Sequence, residues 1–261
     1  MIEITTIVVV DRRCADQLEM VWPTWRLHRP ELFSQPLVII CDWAAGNKRF
    51  WKRRLRFMGH HADRRIVGWD WPRLDDTQFS GMTQRERMLT AWVKVPPAVV
   101  QTPYFVKIDT DVVATKTCPW ILPEWFDDRP ALIASPWGYT KPATYPGILD
   151  EWATTIPTLA PLRSLALPAP QTDQGTIRHK RIASWCCFVN TTFAQTAADY
   201  VPGRLPVPSQ DTYHWYVAWR ESQPIVKAKM KNYGWTCVNG DRRRQRLVEE
   251  VLQLDKEHCC D

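Results

Sequence analysis

Asp109 and Asp111 stand one residue apart at the end of the apolar run Tyr104-Phe105-Val106-Lys107-Ile108. Carboxylates do not stabilise a strand, and like charges this close repel. The pair must therefore sit in solvent at a turn or share a positive partner. Two carboxylates at i and i+2, where a strand bends into a turn, can converge on one divalent cation. Mg²⁺ and Mn²⁺ prefer hard oxygen ligands, and Mg²⁺ commonly takes one or two carboxylates plus substrate phosphates. As a bare pattern D-x-D is common. Its weight here comes from its place, after an apolar strand in mid-chain and behind a helix that carries arginines.

Two further strand candidates end in aspartate: Asp11 follows "TTIVVV" and Asp42 follows "LVIIC". In open α/β sheets ligands bind at the carboxyl ends of the strands, so the three ends form a rim of carboxylates where a ligand is expected. The alternative for each is a turn residue or a helix N-cap. His214, in the aromatic segment "DTYHWYVAWR", reads more readily as a core histidine than as a ligand.

The elements that must position these groups follow from hydrophobic periodicity. Residues 4–10, 36–41, 64–71, 104–108 and 131–135 read as strands, and 181–190 as another. Helices are expected from Ala15 to His28, with Pro23 as a kink or break, and from Gly46 to Met58. Thr83 and Glu86 form a capping box for a third helix, which Pro96-Pro97 should stop. Residues 138–180 read as a loop-and-helix insertion. "TTFAQTAADYV" is a helix capped by Asn190 or Thr191, 211–220 a short helix opened by Asp211, the stretch from Gln223 to Val238 strand-like, and 241–258 an amphipathic final helix. Strand–helix alternation in the first half predicts an α/β fold with a mostly parallel central sheet flanked by helices. With neither repeat nor clear linker, a single domain over 1–261 is expected.

Bulk properties narrow the classes. The 261 residues suffice for a sizeable core, and 45% hydrophobic with 24% charged residues is ordinary for a globular protein. A net charge of +6 suits an anionic ligand or partner without selecting one. The clusters Lys52-Arg53-Arg54 and Arg242-Arg243-Arg244 read as solvated helix faces rather than binding patches. The start lacks the pattern of a secretory signal, and no run is long enough to span a bilayer. The expected location is the cytoplasm, with room for peripheral contact with a membrane surface. Eight cysteines then read as mostly reduced thiols, and the adjacent pairs 186–187 and 259–260 lack zinc-site spacing.

With "KIDTDVV" as its motif, the layout over roughly residues 4–235 resembles the GT-A type of nucleotide-sugar-dependent glycosyltransferase. That resemblance implies a nucleotide-binding half over about 1–115 and an acceptor-binding half over about 116–240, with a C-terminal helix at 241–261. It implies a divalent cation, Mn²⁺ or Mg²⁺, on Asp109 and Asp111, with Asp111 the more direct ligand and Asp109 near the ribose or metal. Asp42 would touch the nucleoside, and Arg12 or Arg13 would lie near the base or phosphates. Arg85 and Arg87 would face the diphosphate; the other reading of these arginines is a solvent face. Inverting members carry a late acidic residue as general base, and Asp211 in "PSQDTYHW" matches that place; it is otherwise an N-cap. "KMKNYGW" offers Lys229, Lys231 and Asn232 where relatives place a late metal ligand or phosphate contact, and Lys231 is the candidate for the phosphates. Trp185 stands where the family builds an acceptor wall, often from glycines, and could stack on a sugar ring.

The implied partners are a nucleotide-diphosphate sugar and a carbohydrate or other hydroxyl acceptor, with no nucleic acid. Two other readings remain open. A sugar-nucleotide nucleotidyltransferase would need a glycine-rich loop after the first strand, where "VVVDRRCADQ" has none. A non-enzymatic basic module that binds nucleotide or nucleic acid would show a recognisable binding motif, and none stands out.

Overall fold

A run of seven apolar or β-branched residues has no solvent face to offer, and Ile4–Val10 (β1) is buried along its whole length. Leu37–Cys41 (β2) is buried throughout as well, while Arg64–Gly68 (β3) is only partly covered. The computed structural model describes residues 2–43, 45–59, 64–68, 84–139, 180–199, 214, 217–218, 221, 223–238 and 240–258. It joins these strands to Tyr104–Ile108 (β4), Leu132–Tyr139 (β6), Lys180–Asn190 (β7) and Ile225–Lys227 (β8). The sheet has seven strands in the order β3-β2-β1-β4-β7-β6-β8. Its pairings are parallel except those of β7, which runs antiparallel to β4 and β6. A two-stranded antiparallel sheet pairs Val112–Ala114 (β5) with Trp235–Cys237 (β9).

Strand order reverses beside β1: β2 and β3 lie to one side of it and β4 to the other. Such a switch point opens a crevice at the carboxyl ends of the strands, because the connections leave in opposite directions. Alternating residues supply the two core layers. Tyr104, Val106 and Ile108 point to the layer under Arg12–His28 (α1), Lys48–Arg54 (α2) and Asp241–His258 (α5). Phe105 points the other way, toward Gln84–Val99 (α3) and Thr191–Asp199 (α4).

Helix α1 is continuous through Pro23. That proline lies on the exposed side, where water can satisfy the carbonyl it leaves unpaired, and two contacts flank it. Thr24 Oγ1 accepts from Ala114 N at 3.2 Å, and Trp25 Nε1 donates to Val112 O at 2.7 Å. Both tie α1 to β5. Pro96 and Pro97 likewise lie inside α3, which runs one turn further than the sequence suggests. The stretch read as one strand up to Val238 is two, β8 and β9, separated by a 3₁₀ turn over Met230–Tyr233 and by Gly234 at φ 76°. Asn190 is the cap of α4: its Oδ1 accepts from Phe193 N at 3.0 Å. Most of the expected insertion and the start of the 211–220 helix lie outside the described residues.

Among the described residues the indoles of Trp25, Trp51, Trp120 and Trp235 are fully buried. Trp235 packs edge-on against Trp25 (5.6 Å) and Trp120 (5.1 Å). Such pairs contribute about 0.5–1.5 kcal/mol each beyond the area they bury. Against Trp235 lies Arg29, itself fully buried, with its guanidinium 4.8 Å from the ring centroid. The described cysteines 14, 41, 118, 186, 187 and 237 are free thiols. No helix among the described residues is long and apolar enough to cross a membrane.

Candidate functional site

The D-x-D pair occupies a tight turn at the carboxyl end of β4, in the switch-point crevice. Val112 N donates to Asp109 O at 3.3 Å, so Asp109 opens the turn and Asp111 is its third residue. Asp109 N donates to Trp185 O at 2.8 Å, extending the β4–β7 ladder past Ile108↔Cys186. Trp185, half-buried, therefore lies beside the aspartates. Thr110, between them, is buried and donates to Gln17 Oε1 of α1 at 3.3 Å.

Each carboxylate meets a buried cation. Lys107 lies two residues before Asp109 on the same face of β4, and its Nζ is 2.5 Å from Asp109 Oδ1. The lysine side chain is 5% exposed, and its ammonium lies 4.5 Å from the Trp92 ring centroid. Arg244 reaches Asp111 from α5, through the opposite layer. Its Nε donates to Asp111 O at 3.2 Å, and its Nη2 lies 3.4 Å from Asp111 Oδ2. The same guanidinium donates to Val238 O at 3.0 Å and to Asp241 Oδ1 at 2.7 Å. Arg244 is 2% exposed, so the solvated face expected for 242–244 holds for Arg242 and Arg243 only. The reason is helical phase: Arg244, Val248 and Val251 share the inward stripe of α5.

The other candidates sit on separate elements. Asp11 is the N-cap of α1, its Oδ1 accepting from Cys14 N at 2.6 Å. Asp42 is buried at the end of β2, two strands from β4, or roughly 10 Å across the sheet. Arg12 bridges the β1 and β2 ends: its Nη2 donates to Ala45 O at 2.9 Å, and its guanidinium lies 5.8 Å from the Phe50 ring centroid. Lys231 is exposed on the 3₁₀ turn that leads into β9. Arg85 and Arg87 belong to the first turns of α3. Asp211 lies outside the described residues. Lys107 and Arg244 were not among the sequence candidates. A lysine inside an otherwise buried strand, and an arginine in phase with the valines of a helix, are the signals that point to them.

Burial shapes the neighbouring thiols and histidine. Burial, then the Asp111 and Asp109 carboxylates, push the Cys237 thiol up to about 12, so it stays protonated at neutral pH. Cys14 is raised to about 12 by burial and Asp11. His214 is buried against Phe193, and burial, aided by the Lys107 charge, lowers its pKa to about 4. The unfolded chain therefore takes up this proton first as pH falls below about 6.5, and stability is lost between there and about pH 4. A loss of about 2 kcal/mol between pH 7 and pH 5 is expected from this group. Urea unfolding of wild type and His214→Gln at the two pH values checks it. Equal pH dependence in both would remove His214 as the cause.

Among the described residues no cluster of three or more His, Cys, Asp or Glu side chains is placed to hold a metal ion. No protein-family model matches the chain, and no curated protein matches its sequence. Solved structures do match. The galactosyltransferase LgtC, in complex with donor and acceptor sugar analogs, superposes with a TM-score of 0.53 at 9% identity, over 95% of this chain and 96% of that one. Core-mannan synthase A from Aspergillus fumigatus, in its Mn/GDP form, gives 0.48 at 14% identity over 90% and 69% of the two chains. The mannosyltransferase Ktr4p from S. cerevisiae, in complex with GDP, gives 0.48 at 11% over 93% and 68%. The likeness to LgtC spans nearly both chains, and the fold is that of the GT-A-type glycosyltransferases.

Proposed function

We propose that the protein is a glycosyltransferase that moves a sugar from a nucleotide-diphosphate donor to an acceptor hydroxyl. The observation that carries this reading is the D-x-D turn at the switch point, with Trp185 beside it and the Asp42 and Arg12 strand ends on the same rim. The fold shared with a galactosyltransferase supports it. A nucleotidyltransferase and a non-enzymatic binding module have no comparable observation in their favour.

In this reading the nucleoside lies over the β1 and β2 ends, against Asp42 and Arg12, and the diphosphate reaches the D-x-D turn. Asp109 and Asp111 fit a divalent cation, Mn²⁺ or Mg²⁺. Each offers hard oxygens and each is partly exposed. Once bound, such a cation supplies Lewis-acid stabilisation of the departing diphosphate. The chain's own contribution is positional. The turn fixes both carboxylates, Arg85 and Lys231 are assigned to the phosphates, and Trp185 to a sugar ring. Asp211 is assigned the acceptor proton, with inversion at the anomeric carbon as the corollary.

A thermal-shift panel of UDP-, GDP- and dTDP-sugars, with and without Mn²⁺, tests the donor class. Stabilisation by one nucleotide family, strengthened by Mn²⁺, is expected; no shift with any of them would overturn the reading. In the transfer assay that follows, Asp211→Asn retaining full activity would remove the base assignment alone.

A further inference from the structure

The two aspartates that rim the crevice do not present bare charge to it. Lys107 and Arg244 reach them from opposite faces of the sheet, and each cation is almost wholly buried. Burying an ammonium or a guanidinium is costly unless partners compensate. Lys107 is compensated by Asp109 and the face of Trp92; Arg244 by Asp111, Asp241 and the Val238 carbonyl. Neither side chain can swing away without leaving a charge in the core. These are fixed parts of the turn, unlike surface ion pairs that exchange with salt.

We propose that Lys107 and Arg244 are built-in counter-ions of the D-x-D pair, positioning residues that lower its attraction for a free divalent cation so that the cation is retained together with a diphosphate. The proposal rests on the reading of Asp109 and Asp111 as the metal seat. A cation arriving alone meets two carboxylates with two fixed positive groups within a few Å, the Arg244 charge being shared with Asp241. In a partly desolvated crevice each such group weakens the field substantially. A metal–diphosphate complex brings its own anionic oxygens and is far less sensitive to the offset. The same side chains fix geometry. Arg244 holds both the main-chain oxygen and the carboxylate of Asp111, and Lys107 holds Asp109 from below the turn.

Mn²⁺ binding followed by electron paramagnetic resonance tests this without any transfer reaction. Wild type, Lys107→Met, Arg244→Met, Arg244→Lys and Asp111→Ala are titrated with and without UDP or GDP. For wild type, the nucleotide is expected to tighten Mn²⁺ binding by at least about tenfold. Without nucleotide, Lys107→Met and Arg244→Met are expected to bind Mn²⁺ about tenfold more tightly than wild type, while Arg244→Lys, which keeps the charge, stays near it. Circular dichroism and melting temperature establish which variants are folded. Unchanged or weaker Mn²⁺ binding in a folded Lys107→Met or Arg244→Met overturns the proposal, with the metal seat intact if Asp111→Ala has lost Mn²⁺. Equal Mn²⁺ affinity in wild type with and without nucleotide overturns it even if neither methionine variant folds. If Asp111→Ala binds Mn²⁺ as wild type does, the metal reading of the D-x-D falls, and the counter-ion role with it.

Discussion

Arg29→Met is expected to lower the free energy of unfolding by about 3–5 kcal/mol. Arg29 is fully buried and donates to three main-chain carbonyls: His28 O at 2.6 Å, Lys116 O at 2.9 Å, and Tyr233 O. These belong to the end of α1, the segment after β5, and the 3₁₀ turn before β9. One side chain thus fastens three stretches distant in sequence. The guanidinium also faces Trp235 and Trp120, at 4.8 and 5.9 Å from their ring centroids. Methionine replaces much of the volume and none of the donors, so buried carbonyls lose their partners, which is the expensive direction of such a change. Urea denaturation should show a lower midpoint with an unchanged slope. A loss below about 1 kcal/mol would mean that the carbonyls find water or other donors.

Asp111→Ala is expected to reduce release of nucleoside diphosphate from the donor by roughly 10²–10³-fold in kcat/KM. Its effect on stability should be much smaller, about 1 kcal/mol, because Arg244 keeps Asp241, the Val238 carbonyl and the main-chain oxygen of residue 111. Asp111→Asn separates the two roles. Its amide oxygen can still accept from Arg244, so the melting temperature should return toward wild type. The charge is gone, so activity should not return. Full activity in Asp111→Asn, with the fold intact, would show that the carboxylate's charge is not used in the reaction.

Continuous apolar runs made the parallel strands readable, because such runs fit strands covered on both faces. The same pattern is silent on direction: "RIASWCCFVN" reads as a strand whichever way it runs, and β7 proves antiparallel. Strands β5 and β9 are three residues each, too short for any period to emerge, and their pairing is long-range. Proline ends neither of the helices in which the sequence makes it a break. Pro23 is exposed and the α1 residues after it are pinned to β5, and past Pro96-Pro97 the Val99 carbonyl of α3 accepts from Arg65 Nη1 at 3.1 Å.

For the candidate site, residue type and strand-end position point to Asp109, Asp111 and Asp42, at the carboxyl ends of β4 and β2; Trp185 enters only through the family resemblance, and its carbonyl accepts from Asp109 N. Asp11 turned out to follow its other reading, as a cap. The groups beneath the carboxylates were harder to see. Lys107 is the one charged residue of "YFVKI", and Arg244 is one member of a basic run. Lys107 meets the Trp92 ring only when α3 closes on the sheet, and Arg244 meets Asp111 only when α5 does. Local sequence carries a helix's phase, which puts Arg244 inward, but not what that phase will face.

The Asp111–Arg244 contact joins residues 133 positions apart, and the Arg29–Tyr233 contact residues 204 apart. At a synthesis rate of about 5–20 residues per second, Arg244 is made roughly 7–27 s after Asp111. Through that interval the first four parallel strands can form while the turn at their rim lacks one of its two cations. Until α5 arrives the Asp111 carboxylate lacks its guanidinium, and the helix that supplies it brings Asp241 as a second partner for the same cation.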